Sequence, residues 1–292
     1  MSPRFISPLR YPGGKARIAP YLAQLIRAQN YRPMSYAEPF AGGAGAALKL
    51  LVDETVKTIH INDLAPGVAA FWRSVFYNGE ALATMVCDAS VTVDDWRHHR
   101  EVFDNPEEHD DLILGFSTFF LNRCNRSGIL TACPIGGFDQ SGKWKIDARF
   151  NRSDLSERIR LLGQYRRRVS VTQMDAKDFV SSVEHMGRSL LLYVEPPYLI
   201  QGEDLYLDSL SYTDHVALAK HLGTTSVPWI LTYDTANQVT DELYRGCRAA
   251  RFNIAHTAQK QHVGSEYVVF SDQLEVPSLN LVNRANAEWV VA

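Results

Sequence analysis

The 292-residue chain reads as an α/β protein: an open, Rossmann-like, largely parallel sheet interrupted by an inserted, mainly helical subdomain. Three observations predict this. Leu190-Leu191-Leu192-Tyr193-Val194 is a continuous apolar run of strand length, the pattern of a strand buried on both faces. Ser35–Glu38 leads through the glycine-rich turn Pro39-Phe40-Ala41-Gly42-Gly43-Ala44-Gly45 into an apolar helical stretch. Strand-like segments stop near residue 64 and resume near residue 169, with aromatic-rich, helix-like sequence between. The expected division is a sheet domain of residues 1–64 and 166–292 and an insert of residues 65–165.

An apolar content of 46% and a charged content of 22% suit an ordinary globular chain. A net charge of −3 excludes an overall cationic coat for nucleic acid. The charge is unevenly spread, however: residues 78–111 carry ten acids against two arginines, and residues 112–168 carry eleven Lys and Arg against four acids. That asymmetry suits either a polyanion-binding face or two oppositely charged surfaces paired with each other. Cys87, Cys124, Cys133 and Cys247 form no C-x-x-C pair, which argues against zinc and suits reduced thiols in a cytoplasm. No apolar run approaches the ~18 residues of a membrane helix. Arg4 and Arg10 stand in an N-terminal stretch without the apolar core of a secretory signal.

Taken in order, Tyr11-Pro12-Gly13-Gly14-Lys15 offers a stacking ring, a backbone able to approach a ligand closely, and a cation; a plain Pro-Gly turn is the alternative. Ile18, Tyr21, Leu22, Leu25 and Ile26 then recur at helical spacing. Gly42, Gly43 and Gly45 set a helix N-terminus beside a ligand, though the pattern is neither G-x-G-x-x-G nor a P-loop. The next strand, Val56–Ile61, ends at Asn62-Asp63. Asp63 follows Gly45 by 18 residues, about the spacing at which an acid holds ribose hydroxyls; a helix cap is the alternative. Together these indicate a nucleoside site and leave a dinucleotide and S-adenosylmethionine both open.

Within the insert, Ala69–Phe76 and Asp111–Asn122 have helical patterns, and Asp94–Phe103 is polar with scattered aromatics. Asn122, Arg123, Asn125 and Arg126 follow, then Lys143, Trp144, Lys145, Arg149 and Arg152. Arg and Asn suit bidentate reading of guanine and adenine edges, so these residues are candidates for DNA contact; a solvated basic loop is the alternative for any one of them. The sheet resumes at Val169–Thr172 and ends near Asp175, which could accept from an adenine amino group or cap the next helix. The strand 190–194 stops at Glu195-Pro196-Pro197-Tyr198, where the prolines end the strand and stiffen the loop. A carboxylate and a carbonyl side by side, next to a flat ring, suit an amino group on a planar base. Thr213 is the expected cap of a helix over Asp214–Leu222, and His215 reads as structural. Pro228–Tyr233 is a strand, and Phe252–Thr257 with Glu266–Phe270 form an antiparallel pair.

The succession R-Y-P-G-G-K, E-P-F-A-G-G-A-G, N-D-L, F-F-L-N-R-C-N-R-S-G, E-P-P-Y, L-Y-L-D-S-L-S-Y-T-D-H and E-Y-V-V-F-S resembles the Dam-like, alpha-class adenine-specific DNA methyltransferases over almost the whole chain. The resemblance implies an S-adenosylmethionine-dependent methyltransferase sheet, with residues 65–165 as the target-recognition region. It implies S-adenosylmethionine as methyl donor and adenine N6 of duplex DNA as acceptor, the base being flipped out of the helix. It assigns cofactor binding to Tyr11, Lys15, Phe40, Gly42, Gly45, Asp63 and Asp175, and catalysis to Glu195, Pro196, Pro197 and Tyr198. It requires no metal, because the sulfonium methyl is already activated.

One position departs from the family pattern: Asp or Asn usually stands where this chain has Glu195. A shift of ~1 Å in a reacting group can cost on the order of 100-fold in rate. The expectation is an active enzyme whose loop retracts to fit the longer acid. A non-catalytic DNA-binding or regulatory protein is the alternative, and an RNA or protein-amide methyltransferase a further one. A monomer suffices to modify one strand at a time, and the resemblance leaves restriction, phage defence and regulation open as roles.

Overall fold

In the computed structural model of the chain, residues 6–11, 15–199, 210–256, 262–279, 281 and 287–291 are described. Pro12, Gly13, Gly14 and the stretch 200–209, with most of the L-Y-L-D-S-L run, lie outside the described residues.

Helix α1 (Ala19–Ala28), strand β1 (Ser35–Glu38), helix α2 (Gly45–Val52) and strand β2 (Thr58–Asn62) alternate as the sequence predicts. Then come α3 (Pro66–Tyr77), α4 (Gly79–Asp88), α5 (Val93–Asp104), α6 (Asp111–Cys124), α7 (Arg152–Gly163) and the short β3 (Val169–Thr172). The alternation resumes with α8 (Ala176–Val183), β4 (Leu190–Val194), α9 (Tyr212–Thr224) and β5 (Trp229–Asp234), and closes with β6 (Arg248–His256), β7 (His262–Phe270) and β8 (Glu288–Val291).

Within one compact part of the chain the described strands lie in the order β2-β1-β4-β5-β7-β6-β8. β2, β1, β4 and β5 run parallel, while β5–β7, β7–β6 and β6–β8 are antiparallel. Every residue of β1, β4 and β5 is buried, as expected of strands covered on both faces. Successive strands progress outward in opposite directions from the β1–β4 pair. In open α/β sheets the loops following the strands at such a reversal form the ligand crevice.

The chain divides into two compact units, Met1–Pro12 with Leu64–Gln173, and Gly13–Asp63 with Met174–Ala292. The N-terminal residues belong to the first unit for a local reason. The Asn122 side chain accepts from Arg10 N at 2.7 Å and donates to Arg10 O at 2.8 Å, completing a two-bond backbone clamp. In the same unit α6 lies close on α3 because Gly115 has no side chain: a Cβ there would sit 2.8 Å from Ala70 O. The Phe71 and Phe119 rings stack across this contact, 5.6 Å apart.

Two starts differ from the sequence expectation. The polar stretch 94–103 is helical, begun by a capping box between Thr92 and Asp95. Helix α9 starts at Tyr212 and is capped by Ser211, not Thr213, because Ser211 and Asp214 form the reciprocal box. Among the described residues no helix is long and apolar enough to cross a membrane.

Candidate active site

The loop after β4 is built from the strand itself. Residues two apart on a strand face the same way, so Tyr193 stands under Glu195, and its hydroxyl donates to Glu195 Oε2 at 2.9 Å. The Tyr193 hydroxyl also lies 2.8 Å from Thr232 Oγ1 on β5. A phenol has one proton, so when Tyr193 donates to Glu195, Thr232 donates to Tyr193. Burial first, and then Glu195, push the Tyr193 hydroxyl well above its usual range, keeping it a donor. Glu195 is half-buried, whereas Pro196 and Pro197 are buried.

Tyr198 is held by its ring, which stacks on Tyr233 at 6.1 Å and 26°. The Tyr233 hydroxyl in turn bonds His215 Nδ1, and burial lowers the His215 pKa, favouring the neutral ring. On β7, Glu266 lies in register with Asp234 of β5, and each is 5% exposed. The Tyr198 side chain hydrogen-bonds Glu266, and burial, followed by Glu195, pushes the Glu266 carboxyl up to about 8. Sequence reasoning missed Tyr193, Asp234 and Glu266. The two-residue spacing of Tyr193 and Glu195 was an available signal; the meeting of β5 and β7 was not.

The turn after β1 belongs to the same unit. Gly42 takes φ 47°, in the left-handed region, and its N–H donates to Asp63 Oδ2 at 2.8 Å. Asp63 thus ties the end of β2 to the glycine turn and is not the cap of α3, whose cap position is Ala65. The start of α2 has Ala44 as its cap residue, with no side-chain cap. Glu38, fully buried, accepts from Tyr36 Oη at 2.9 Å and from Ala47 N at 3.0 Å. A Cβ on Gly45 would stand 3.0 Å from Ala16 N, so glycine lets residues 15–17 lie against the helix start. The Asn62 amide reaches Pro39 O and the backbone of Met174, joining this turn to the end of the neighbouring segment.

Among the other predicted cofactor residues, Phe40 is half-buried against the core. Asp175 caps α8, its Oδ1 accepting from Lys177 N at 2.8 Å, so the capping alternative is the arrangement found. Lys15 opens a single 3-10 turn, Lys15–Arg17. Tyr11 is half-buried and lies in the first unit.

The predicted DNA-contacting residues divide into two groups. Asn122 and Asn125 are 1% and 0% exposed, which corrects their assignment as base readers. Besides the clamp on Arg10, Asn122 donates to Gly128 O at 2.8 Å. Asn125 accepts from Trp96 Nε1 at 2.6 Å and donates to Ile129 O and Leu130 O. Their amides are fully engaged in holding the turn after α6, and turning either toward a base would strand several buried groups. Arg123 is also inward, donating to Arg149 O and Pro8 O, and burial with Arg10 and Arg158 brings its pKa down to about 9.

Arg126, Lys143, Lys145, Arg149 and Arg152 are exposed. Lys143 lies over the ring of Trp144, which is 63% exposed; Lys145 bonds Gln140 O, and Arg152 bonds Ala89 O. The alternative of pairing between the two oppositely charged stretches is realised in part, since Arg160 pairs with Glu80.

A centrally parallel sheet with a glycine turn after its first strand and an acid after its second defines an open α/β fold. The chain matches the model of the D12 class N6 adenine-specific DNA methyltransferase family over residues 11–263, and it belongs to that family. DNA adenine methylation is the activity of that class. A search of curated proteins gives no match. Among solved structures, an rRNA methyltransferase, aviRa from Streptomyces viridochromogenes, is similar over 89% of this chain and 85% of its own, with 12% identity and a TM-score of 0.41.

Proposed function

We propose that the protein transfers a methyl group from S-adenosylmethionine to adenine N6 in duplex DNA, with the base flipped into the Glu195-Pro196-Pro197-Tyr198 loop. The observation that carries this reading is the Glu195 carboxylate, half-buried at the reversal of the sheet and held by Tyr193 at 2.9 Å. The exocyclic amine is a weak nucleophile because its lone pair is delocalised into the ring. Glu195 and the Pro196 carbonyl would accept its two hydrogens and localise that lone pair on nitrogen. Tyr198, already stacked on Tyr233, would offer its ring to the flipped base.

The residues present suit the donor. The start of α2 carries no side-chain cap, and glycine at 45 lets residues 15–17 close on it. Asp63 stands half-exposed at the end of β2, where ribose hydroxyls would be held. S-Adenosylmethionine would supply an electrophilic methyl on a sulfonium. The chain's task is then orientation, which needs neither a metal nor a covalent intermediate. The Tyr193 bond supports an active reading of Glu in place of the usual Asp, since it would draw the longer side chain back toward its own strand. Arg126, Lys143, Lys145, Arg149 and Arg152 would contact DNA phosphates, making binding steeply salt-dependent. We read the first unit as the target-recognition region and the second as the catalytic one.

The test is methyl transfer from labelled S-adenosylmethionine to unmethylated duplex DNA, with the product base identified after hydrolysis. N6-methyladenine is the expected product. Sound folding and donor binding without any labelled adenine, on DNA of varied sequence, would leave the non-catalytic DNA-binding alternative standing.

A further inference from the structure

Glu266 has no part in the chemistry above, yet it bonds the Tyr198 side chain of the acceptor loop. We propose that Glu266 is a positioning residue: buried beside Asp234, it fixes the Tyr198 side chain that projects from the acceptor loop. The inference rests on the methyl-transfer reading of that loop.

The geometry is that of a buried acid pair, Glu266 with Asp234, bonded to the loop through Tyr198. Glu266 and its register partner Asp234 are both nearly inaccessible. The groups that act on Glu266 are Glu195 and Tyr198 from the loop and Asp234 from β5, and Glu266 in turn acts on Tyr193 of β4. Three carboxyl groups close together in a poorly solvated place do not all ionise, and the proton goes to the group that loses most by being charged. Asp234 is as inaccessible as Glu266, and it is Glu266 that is pushed up to about 8, by burial first and then by Glu195.

The Tyr198 hydroxyl bond favours the ionised form, but burial and Glu195 outweigh it, so Glu266 accepts from Tyr198 without adding a second charge against Glu195. Tyr198 is then fixed at both ends, by this bond and by its ring on Tyr233, before a base arrives. Ionisation of Glu266 places a like charge against Glu195 and disturbs the loop from which Tyr198 projects.

The sign of the pH effect follows. The folded chain holds on Glu266 a proton that an unfolded glutamate, with its ordinary value of 4.5, gives up more readily. This contribution to stability is complete below that value and is lost as pH rises through about 8.

The experiment compares wild type, Glu266→Gln and Glu266→Ala as full chains, measuring kcat, KM for the donor and thermal midpoint from about pH 6 to about pH 9.5. Wild-type kcat should fall on the alkaline side with a midpoint near 8. Glu266→Gln, neutral throughout, should keep kcat within about threefold at neutral pH and lack that limb. Glu266→Ala should lose about tenfold in kcat, with KM for the donor unchanged. A wild-type alkaline limb in Glu266→Gln, or wild-type kcat in Glu266→Ala, overturns the proposal. So does a lowered thermal midpoint in both variants with the limb intact, since that is a purely structural role.

If wild type transfers no methyl group to DNA, the functional reading has failed. The thermal data then still judge Glu266: the midpoint of wild type relative to Glu266→Gln must decline from about pH 6 to about pH 8. A flat difference refutes the buried proton.

Discussion

Strand β1 closes on Tyr36-Ala37-Glu38-Pro39 and strand β4 on Tyr193-Val194-Glu195-Pro196. Each glutamate accepts from the tyrosine two residues before it, at 2.9 Å in both cases. The chain then treats them differently. After Glu38 it turns over glycines into α2, and Ala47 N closes on the same oxygen that Tyr36 holds. After Glu195 come two prolines, which have no N–H to give and begin no such turn. The first carboxylate is fully buried and bonded to its own unit; the second stays half-buried at the sheet edge. The same strand ending serves as a structural bolt in one place and, in the proposed function, as a ligand acceptor in the other, and the segment that follows decides which.

Substitutions can break this comparison, the largest effect first. Glu195→Ala should lower kcat for methyl transfer by on the order of 100-fold or more while leaving the thermal midpoint nearly unchanged. Glu38→Ala should instead destabilise the fold by about 3 kcal/mol, because it strands the Tyr36 hydroxyl and Ala47 N in the interior. Chemical denaturation beside single-turnover kinetics would show it, and an unfolded Glu195→Ala or an undisturbed Glu38→Ala would contradict the division.

The tyrosines should repeat the pattern more mildly. Tyr193→Phe is expected to reduce kcat about tenfold, and Tyr36→Phe to cost about 1–2 kcal/mol of stability with kcat intact. Equal kinetic losses in the two would mean that Glu38 also reaches the substrate. Smallest is the effect of Arg126→Ala, which should lower the slope of log affinity against log salt by about 1 without changing stability. Asn122→Ala should do the reverse, costing about 2 kcal/mol and leaving the salt slope alone.

Much of the second unit was legible because its signals are local. The apolar run of β4, the glycine turn and the two prolines each state their conformation within a few residues. The insert was harder. Asn122 and Asn125 sit in a polar, basic stretch and look like surface groups. Their partners are Arg10, 112 residues away in the sequence, and Trp96, 29 away, and no local pattern announces a bond across such distances. Glu266 and Asp234 meet only through an antiparallel register that depends on how β6 and β7 return to the sheet. The cap of α5 was readable in Thr92-Val93-Asp94-Asp95, but the polarity of that helix concealed its period.

The single proton on Tyr193 has a practical side. Thr232, on the next strand, fixes the direction of the bond that steadies Glu195. The acceptor loop is therefore not a portable cassette. Grafting Glu195-Pro196-Pro197-Tyr198 onto another sheet would carry the acid and leave its aim behind, unless a tyrosine two residues upstream and a hydroxyl across the strand went with it.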